Sequence, residues 1–279
     1  MPDRKKVTDN ISFVLLLILS IIFLFPIYLV VINSFKSKFN IINDPFRLPN
    51  QETFAGLENY LNGIESSDLI VSLLRTLFIT VFSVIAIVIF TSMTAWFIVR
   101  VKNKVNKLIY YFFVFSMIVP FQMVMFTLTA VSSKLELNNL FGIIPVYLGF
   151  GSGLSVFMFS GFVKSLPREI EEAAMIDGCG PIKMFFYVIF PILKPTAITV
   201  AILNAMWIWN DYLLPYLVLD IREYRTIPIH IQYLNGSYGQ VDLGAMMALI
   251  VLSIVPIVIF YFSCQKHIIK GIMAGAVKG

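Results

Sequence analysis

Six long apolar runs dominate the pattern of hydrophobic and polar positions along this chain. A helix needs roughly 20 apolar residues to cross the hydrocarbon core of a bilayer, and every run is about that long or longer. The predicted spans are residues 11–35, 71–99, 108–131, 140–162, 191–219 and 245–264. The first run is too long for a signal-peptide core and lacks a small-residue cleavage site, so we expect it to remain as a membrane anchor.

Composition agrees with this pattern. Hydrophobic residues make up 58% of the 279 residues, charged residues make up only 13%, and the mean hydropathy is +0.86. Soluble domains carry about a quarter charged residues. No soluble fold of this size could bury so much apolar surface, so lipid must be the solvent for most of it. The sequence predicts an all-α, multi-pass membrane protein, with one membrane domain over residues 1–279.

Lysine and arginine are distributed unequally between the two sides of the membrane. The side that carries both termini receives fourteen of the 21 basic residues, and the other side receives seven. Because Lys and Arg are in excess in cytoplasmic loops, both termini and the connection at 165–183 are predicted to be cytoplasmic. This bias accounts for the net charge of +5 and requires no nucleic acid as a partner.

The cysteines and histidines are poorly placed for a disulfide or a metal site. Cys179 and Cys264 both fall on or near the predicted cytoplasmic side, and no C-x-x-C spacing occurs. Thiols in a reducing compartment stay free. His230 and His267 are predicted on opposite sides of the membrane. We therefore expect no bound metal.

The charged segment between the fourth and fifth spans has its own helix signals. Ser165 followed by Pro167 is typical of a helix start, with a capping hydroxyl and a proline in the first turn. Acidic residues then favour the positive end of the helix dipole; they are Glu169, Glu171 and Glu172. We expect Gly178 to end the helix in a left-handed conformation, which glycine adopts without steric cost. Gly180 and Pro181 predict the start of a second helix.

This helix is too short to cross the membrane, because about eleven residues cover only some 16 Å at 1.5 Å per residue. It must therefore lie on the membrane surface. One interpretation is that a partner protein contacts Glu172 and the small pair Ala173-Ala174; the other is that the helix rests among lipid headgroups. The cytoplasmic leaflet is anionic, so the cluster of glutamates favours a protein partner.

Polar residues inside two spans leave two interpretations open. Asn204, Trp207 and Asp211 share one face of the fifth predicted helix by their spacing, and Asn210 lies beside them. Gln122 is the corresponding polar residue of the third span. Such residues either line a wet cavity or pack helices together through buried hydrogen bonds.

The short charged segment resembles the Glu-Ala-Ala loop of the membrane subunits of ATP-binding-cassette (ABC) importers. The matching residues are Glu172-Ala173-Ala174, Gly178 and Pro191. Val188 and Phe190 depart from the usual Ile and Leu of that motif, but both are apolar.

The resemblance extends over most of the chain. It includes the six spans, Trp209-Asn210 with Leu214-Pro215 after it, and the C-terminal segment 265–279. These features are similar to the second permease subunit of maltose-type carbohydrate importers, which implies a location in a bacterial or archaeal cell membrane.

The resemblance implies a set of partners. They are a homologous second permease subunit, two cytoplasmic ATP-binding subunits, an extracellular sugar-binding protein and the sugar itself, in addition to membrane lipid. The implied ATPase-coupling residues are Glu171, Glu172, Ala173, Ala174, Asp177 and Gly178. The tail at 265–279 is implied to reach the ATPase subunits through Ala274, Gly275 and Lys278.

The resemblance also implies contacts outside the cell and within the pathway. The loop at 220–243 is implied to contact the binding protein through Tyr233, Asn235, Gly236 and Tyr238; the alternative is a plain connection. The translocation-pathway candidates are Gln122, Asn204, Trp207, Asn210 and Asp211, since aromatic rings stack on sugars and amides or carboxylates bond to their hydroxyls.

The chain has no Gly-x-x-x-x-Gly-Lys-Ser/Thr phosphate-binding loop. We therefore expect no catalytic residues and no cofactor on this chain, with ATP and magnesium on the partner ATPase subunits. An ABC importer for a non-sugar solute is the nearest alternative. An ion-driven secondary transporter is disfavoured, because the spans contain few acidic residues and no internal repeat. A purely structural scaffold offers no use for the charged surface helix.

Overall fold

The computed structural model describes residues 2–65, 68–234 and 242–276. Over these ranges the chain is almost entirely helical, and the extended pairing found there is an isolated bridge between Lys36 and Phe54. The elements are α1 (Pro2–Ser34), α2 (Lys38–Asn43), α3 (Glu58–Glu65), α4 (Leu69–Arg100), α5 (Lys104–Ser116), α6 (Phe121–Lys134), α7 (Ile143–Val163), α8 (Glu169–Ile176), α9 (Pro181–Met184), a π turn (Phe185–Ile189), α10 (Phe190–Asn210), α11 (Leu213–Val218), α12 (Ile227–Leu234) and α13 (Leu243–Ala276). The predicted all-α class is confirmed.

Among the described residues, five helical segments are long and apolar enough to cross a membrane. They are Asp9–Ser34, Leu69–Arg100, Ile143–Val163, Pro181–Asn210 and Leu243–Lys266. Helices α5 and α6 together form a sixth apolar segment, which is bent by 106°. The predicted number of six spans is reached when this bent pair counts as one.

The third predicted span is therefore not the straight helix expected over 108–131. Helix α5 ends at Ser116, and α6 begins after Pro120, whose backbone is extended (φ −63°, ψ 135°). A proline disfavours helical geometry at the residue before it, here Val119, and it has no N–H to continue the helical ladder. Apolar character continues across the break, so hydropathy alone did not reveal it.

The fifth span differs from its prediction at both ends. It begins at Pro181 rather than at 191, because α9 continues through the π turn into α10. The N–H of Phe190 donates to the carbonyl of Phe185, five residues back. Pro191 has no N–H for the next bond, and the wider π turn accommodates it. The span ends at Asn210 rather than at 219.

The last helix extends beyond its predicted end. Helix α13 continues to Ala276, so residues 265–276 are helical where a tail was expected. Good helix formers follow the apolar run, and a helix does not need to end at the edge of the hydrocarbon core.

The chain divides into two compact units, and the prediction of one membrane domain stays a prediction. The first unit comprises Met1–Ile70 and His230–Pro256. In it, Nδ2 of Asn59 donates to the carbonyls of Ser34 (2.8 Å) and Lys36 (2.9 Å), which joins α3 to the end of α1. Lys36 is buried and donates its Nζ to the carbonyl of Asp44 (2.9 Å). Burial lowers the pKa of Lys36, although the nearby Asp44 carboxylate opposes this effect.

The second unit comprises Val71–Ile229 and Ile257–Gly279. Its central element is α7, which packs against α5 and α10. The close approach of α7 to its neighbours depends on small residues, as is common between membrane helices. At Gly151, a Cβ would lie 2.6 Å from Cδ1 of Ile87 and 2.8 Å from Oδ1 of Asn204. This unit carries the ends of α4 and α7 and the whole of α8, which form the candidate site.

Candidate coupling site and translocation pathway

Helix α8 is the short surface helix that the sequence predicted. Its start differs from the prediction, because the helix begins at Glu169 and the Ser165 hydroxyl does not cap it. The Oγ of Ser165 instead donates to the carbonyl of Phe162 (2.7 Å), at the end of α7. The amides of Glu171 and Glu172 donate to the Arg168 carbonyl, which provides the first turn.

One face of α8 is fixed to another helix of the second unit, α4, by an ion pair. Arg100, at the end of α4, donates from Nε to Oε1 of Glu171 (2.6 Å) and from Nη2 to the carbonyl of Leu166 (3.1 Å). Glu171 is only 7% exposed, and Ala174 on the same face joins the hydrophobic core. A charge-assisted hydrogen bond of this kind is about twice as strong as a neutral one. The pair therefore ties α8 to the end of α4 that the sequence predicts to be cytoplasmic.

The opposite face of α8 is exposed. Glu172, Ala173 and Asp177 all lie there. This face presents two acidic side chains, a small residue and Ile176, which is 86% exposed. The other face is held rigidly by the rest of the chain. The exposed face is thus a fixed surface on which another protein could bind.

The end of α8 is a Schellman motif, and the predicted left-handed glycine is confirmed. Gly178 has φ +77°, and its N–H donates to the Met175 carbonyl (3.0 Å). The N–H of Cys179 donates to the Ala174 carbonyl (3.0 Å). These two bonds are the ones that define the motif. The predicted second helix follows directly, with Pro181 as the first residue of α9.

The six predicted ATPase-coupling residues therefore separate into two groups. Glu172, Ala173, Asp177 and Gly178 are exposed, whereas Glu171 and Ala174 are buried against their own chain. Contact of any of them with an ATPase subunit stays a prediction. The two buried residues contact their own chain and are not exposed for contact with a partner protein.

Asn204, the first pathway candidate, lies between α7 and α10. It is 5% exposed, and its Nδ2 donates to the Val200 carbonyl (2.8 Å) and to Oγ of Ser155 (3.3 Å). Ser155 in turn donates to the Gly151 carbonyl (2.7 Å). Of the two interpretations left open by the sequence, this geometry favours helix packing for Asn204.

Trp207 and Asp211 lie with Tyr147 in a second polar cluster. The Tyr147 hydroxyl donates to Oδ2 of Asp211 (3.2 Å), and its ring meets Trp207 edge-on at 5.5 Å between centroids. Trp207 is 39% exposed, whereas Tyr147 is fully buried. Oδ1 of Asp211 accepts from the amides of Leu213 (3.1 Å) and Leu214 (3.3 Å) at the start of α11. Asp211 thus lies just beyond the end of α10 and its carboxylate caps the start of α11, so the helix face predicted to carry Asn204, Trp207 and Asp211 ends before Asp211.

The other predicted positions are scattered. Gln122 is exposed near the start of α6, and Asn210 is exposed with its Nδ2 bonded to the Met206 carbonyl (2.7 Å). Tyr233 is half-buried on α12. Ala274 and Gly275 lie within α13. Asn235, Gly236, Tyr238 and Lys278 lie outside the described residues.

Two important residues were missed by sequence reasoning. Arg100 was counted only as one of the cytoplasmic cations, and its pairing with Glu171 joins residues 71 positions apart. Tyr147 had a detectable signal, since a tyrosine inside an apolar span usually needs a partner for its hydroxyl. Asp211 was one of the few acidic residues near a span. In the described part of the chain, no cluster of three or more His, Cys, Asp or Glu residues is arranged to hold a metal.

The family model for binding-protein-dependent transport system inner membrane components matches residues 87–273. This match includes α7, α8 and α10, which build the site just described. The chain belongs to this family. It is therefore a multi-pass permease component of a membrane transport system.

Several transport permeases match this chain along nearly its whole length. The probable starch degradation products transport system permease protein AmyC of Thermoanaerobacterium thermosulfurigenes is 42% identical, over 94% of each chain. The multiple sugar-binding transport system permease protein MsmG of Streptococcus mutans is 34% identical over 100% of each chain. The melibiose/raffinose/stachyose import permease protein MelC of Bacillus subtilis is 30% identical over 91% of each chain.

A solved structure shares the fold of the permease. It is a chain of a bacterial ABC transporter involved in the import of the acidic polysaccharide alginate. The TM-score is 0.80 at 23% identity, over 94% of this chain and 96% of that chain. This likeness is evidence for the fold, and it supports the helical arrangement described above.

Proposed function

We propose that this permease is one of two homologous membrane subunits of an ABC importer for sugars or oligosaccharides. The substrate class is supported by the names of AmyC, MsmG and MelC, which refer to starch degradation products, to multiple sugars and to melibiose, raffinose and stachyose. The other components are a second permease, two cytoplasmic ATPase subunits that hold ATP and magnesium, and an extracellular binding protein. This chain carries no hydrolytic chemistry of its own.

The two-sided geometry of α8 is the observation that supports the coupling mechanism. Coupling between an ATPase and a transport pathway requires a rigid element that takes up different positions in two states. The Arg100–Glu171 ion pair fixes α8 to α4, and the motif at Gly178 fixes its direction into α9. A force applied to the exposed face at Glu172 and Asp177 would therefore move the membrane helices with α8. We place the ATPase contact on that exposed face.

The proposed pathway lies near the end of α10. Trp207 offers an exposed aromatic face, and Asp211 beside it has a carboxylate already oriented by Tyr147. Such a pair suits a sugar, since an aromatic ring stacks on its apolar face and a carboxylate accepts from its hydroxyls.

Reversing the charge of the exposed face tests the coupling proposal. The variant carries Glu172→Lys and Asp177→Lys, and its control carries Asp9→Lys, an exposed acidic residue outside α8. We expect the variant to lose most ATPase subunit from the purified complex and most uptake, while membrane abundance stays normal. The control should keep both. Normal uptake and assembly in the double variant would contradict the coupling proposal.

The binding-protein contact has a separate test. Replacing residues 235–239 by a Gly/Ser stretch of equal length should leave docking of the binding protein and basal ATPase activity intact but slow the delivery of sugar. Unchanged uptake kinetics across a range of sugar concentrations would make this loop a plain connection. Panels of candidate sugars, tested for binding to the partner binding protein, define the transported class; binding of non-sugar solutes alone would contradict it.

A further inference from the structure

A basic cavity of about 850 Å³ lies next to the anchored face of α8. It is formed by the end of α4, the turn into α5, the first part of α5 and the residues that follow α7. Its lining contains six cations, which are Arg100, Lys102, Lys104, Lys107, Lys164 and Arg168. No Asp or Glu is among the residues described as lining it.

Most of this positive charge is available to a ligand. Arg100 is committed to Glu171, in the ion pair that anchors α8. The other five cations are exposed. Like charges held this close repel one another, and the interaction is reduced when an anion lies between them. The cavity therefore favours a ligand with a compact negative charge.

The walls of the cavity are held in place before any ligand binds. Oδ1 of Asn103 accepts from the Asn106 amide (2.6 Å), and Nδ2 of Asn106 donates to the Val101 carbonyl (2.7 Å). These two bonds fix the turn between α4 and α5. Two of the lysines lie over aromatic rings, which restrict their ammonium groups. The distances to the ring centroids are 5.1 Å from Lys164 to Tyr110 and 6.0 Å from Lys107 to Tyr111.

An apolar stripe continues from the cavity along α5. Leu108, Phe112 and Phe115 are exposed and follow the i, i+4, i+7 spacing of one helix face. Tyr110 and Tyr111 line the cavity at the level of α5 where this stripe begins, as aromatic residues do at a membrane–water interface. A basic cavity with an apolar stripe leading away from it matches the order of phosphate and acyl chain in a phospholipid.

We propose that the cavity binds the headgroup of an anionic phospholipid of the cytoplasmic leaflet, with its acyl chains along the exposed face of α5. Basic pockets between membrane helices on the cytoplasmic side are suited to such headgroups. The site goes beyond the proposed transport function and does not depend on which solute is carried. Because the site adjoins Arg100, a bound phosphate would lower the repulsion around the ion pair that holds α8. The lipid would thus stabilise the surface on which the ATPase is proposed to bind.

The test uses the complete importer, purified into lipid nanodiscs that contain phosphatidylglycerol and phosphatidylcholine with the same acyl chains. Lipid that stays bound to the complex is measured by native mass spectrometry. The variant carries Lys107→Gln and Lys164→Gln; the matched control carries Lys183→Gln and Lys194→Gln, two exposed cations outside the cavity. Each basic residue near the membrane surface contributes about a fivefold factor, so the variant should retain phosphatidylglycerol about 25-fold less strongly. The control should retain it normally.

A charge-preserving variant distinguishes a loss of lipid binding from a loss of folding. With Lys107→Arg and Lys164→Arg, the cation–π contacts and the lipid should both persist. Equal retention by the Gln variant and its control would overturn the proposal, as would equal retention of the two lipids by the unaltered complex. Displacement of phosphatidylglycerol by millimolar inorganic phosphate would identify free phosphate as the ligand. Binding of phosphatidylglycerol only after the ATPase subunits are removed would assign the cavity to an acidic protein surface, and both results would also overturn the proposal.

Discussion

The two faces of α8 show how neighbouring residues of the same type acquire different roles. Glu171 and Glu172 are adjacent and both acidic, yet Glu171 is buried against Arg100 and Glu172 is exposed. Ala173 and Ala174 differ in the same way. The inward face fixes the helix to its own chain, whereas the outward face is available to a partner. A motif that is continuous in sequence is therefore divided into an anchoring half and a contact half by the 100° rotation per residue of a helix.

A single truncation on each face provides the most direct test of this comparison, and Glu171→Ala should have the larger effect. It leaves the Arg100 guanidinium without its carboxylate in a mostly buried position, at a cost of about 3 kcal/mol. We expect a lower melting temperature of the purified complex and lower membrane abundance. Glu172→Ala is the matched control and should keep both, with reduced ATPase binding. Equal loss of stability in the two variants would contradict the division between faces.

A compensating pair sharpens this result. Replacing both partners, with Arg100→Met and Glu171→Met, removes the unpaired charge and should recover much of the stability lost in Glu171→Ala. Coupling should remain impaired if the ion pair serves to transmit force. Full recovery of uptake would show that any stable anchor is sufficient.

The end of α8 provides the second prediction. Gly178→Asp places a side chain at φ +77°, where residues other than glycine cost roughly 1–2 kcal/mol. We expect uptake to fall at least about tenfold while the spans still insert. Gly180→Asp adds the same charge two residues later at φ −69°, in open space, and should be tolerated. An equal loss of uptake in both variants would show that charge, and not backbone conformation, is the relevant property.

Helix α10 also carries a buried and an exposed pathway candidate, which are Asn204 and Trp207. Asn204→Ala removes the hydrogen bond from α10 to Ser155 of α7 and should lower stability by about 1 kcal/mol without changing the KM for uptake. Trp207→Ala should do the reverse, raising the KM severalfold at normal stability if its exposed ring contacts the solute. Uptake measured over a range of solute concentrations, together with thermal melting, separates the two. A raised KM for Asn204→Ala would return that residue to the pathway.

The C-terminal end should give the smallest effect. Removing residues 274–279 shortens α13 by its last turn and removes Lys278. If this end contacts the ATPase subunits, ATP hydrolysis should increase relative to uptake, by about twofold, with the spans intact. An unchanged ratio of hydrolysis to uptake would leave the segment without a coupling role.

The sequence by itself determined the membrane environment, the all-α class, the short surface helix and the conformation of Gly178. These properties depend on local physics: apolar runs of sufficient length partition into lipid, and a glycine after a helix adopts a left-handed conformation without a Cβ penalty. The short motif at Glu172 was also sufficient to suggest the family, and residues 87–273 confirm it.

Tertiary structure decided which side chains of those elements are exposed for contact with a partner. Nothing in the sequence distinguishes Glu171 from Glu172 until Arg100 is brought to one of them from 71 positions away. The break at Pro120 and the π turn before Pro191 were also not predicted, because hydropathy scores side chains and carries no information on backbone hydrogen bonds. Burial and pairing depend on contacts between distant segments, and for that physical reason only the folded chain could assign them.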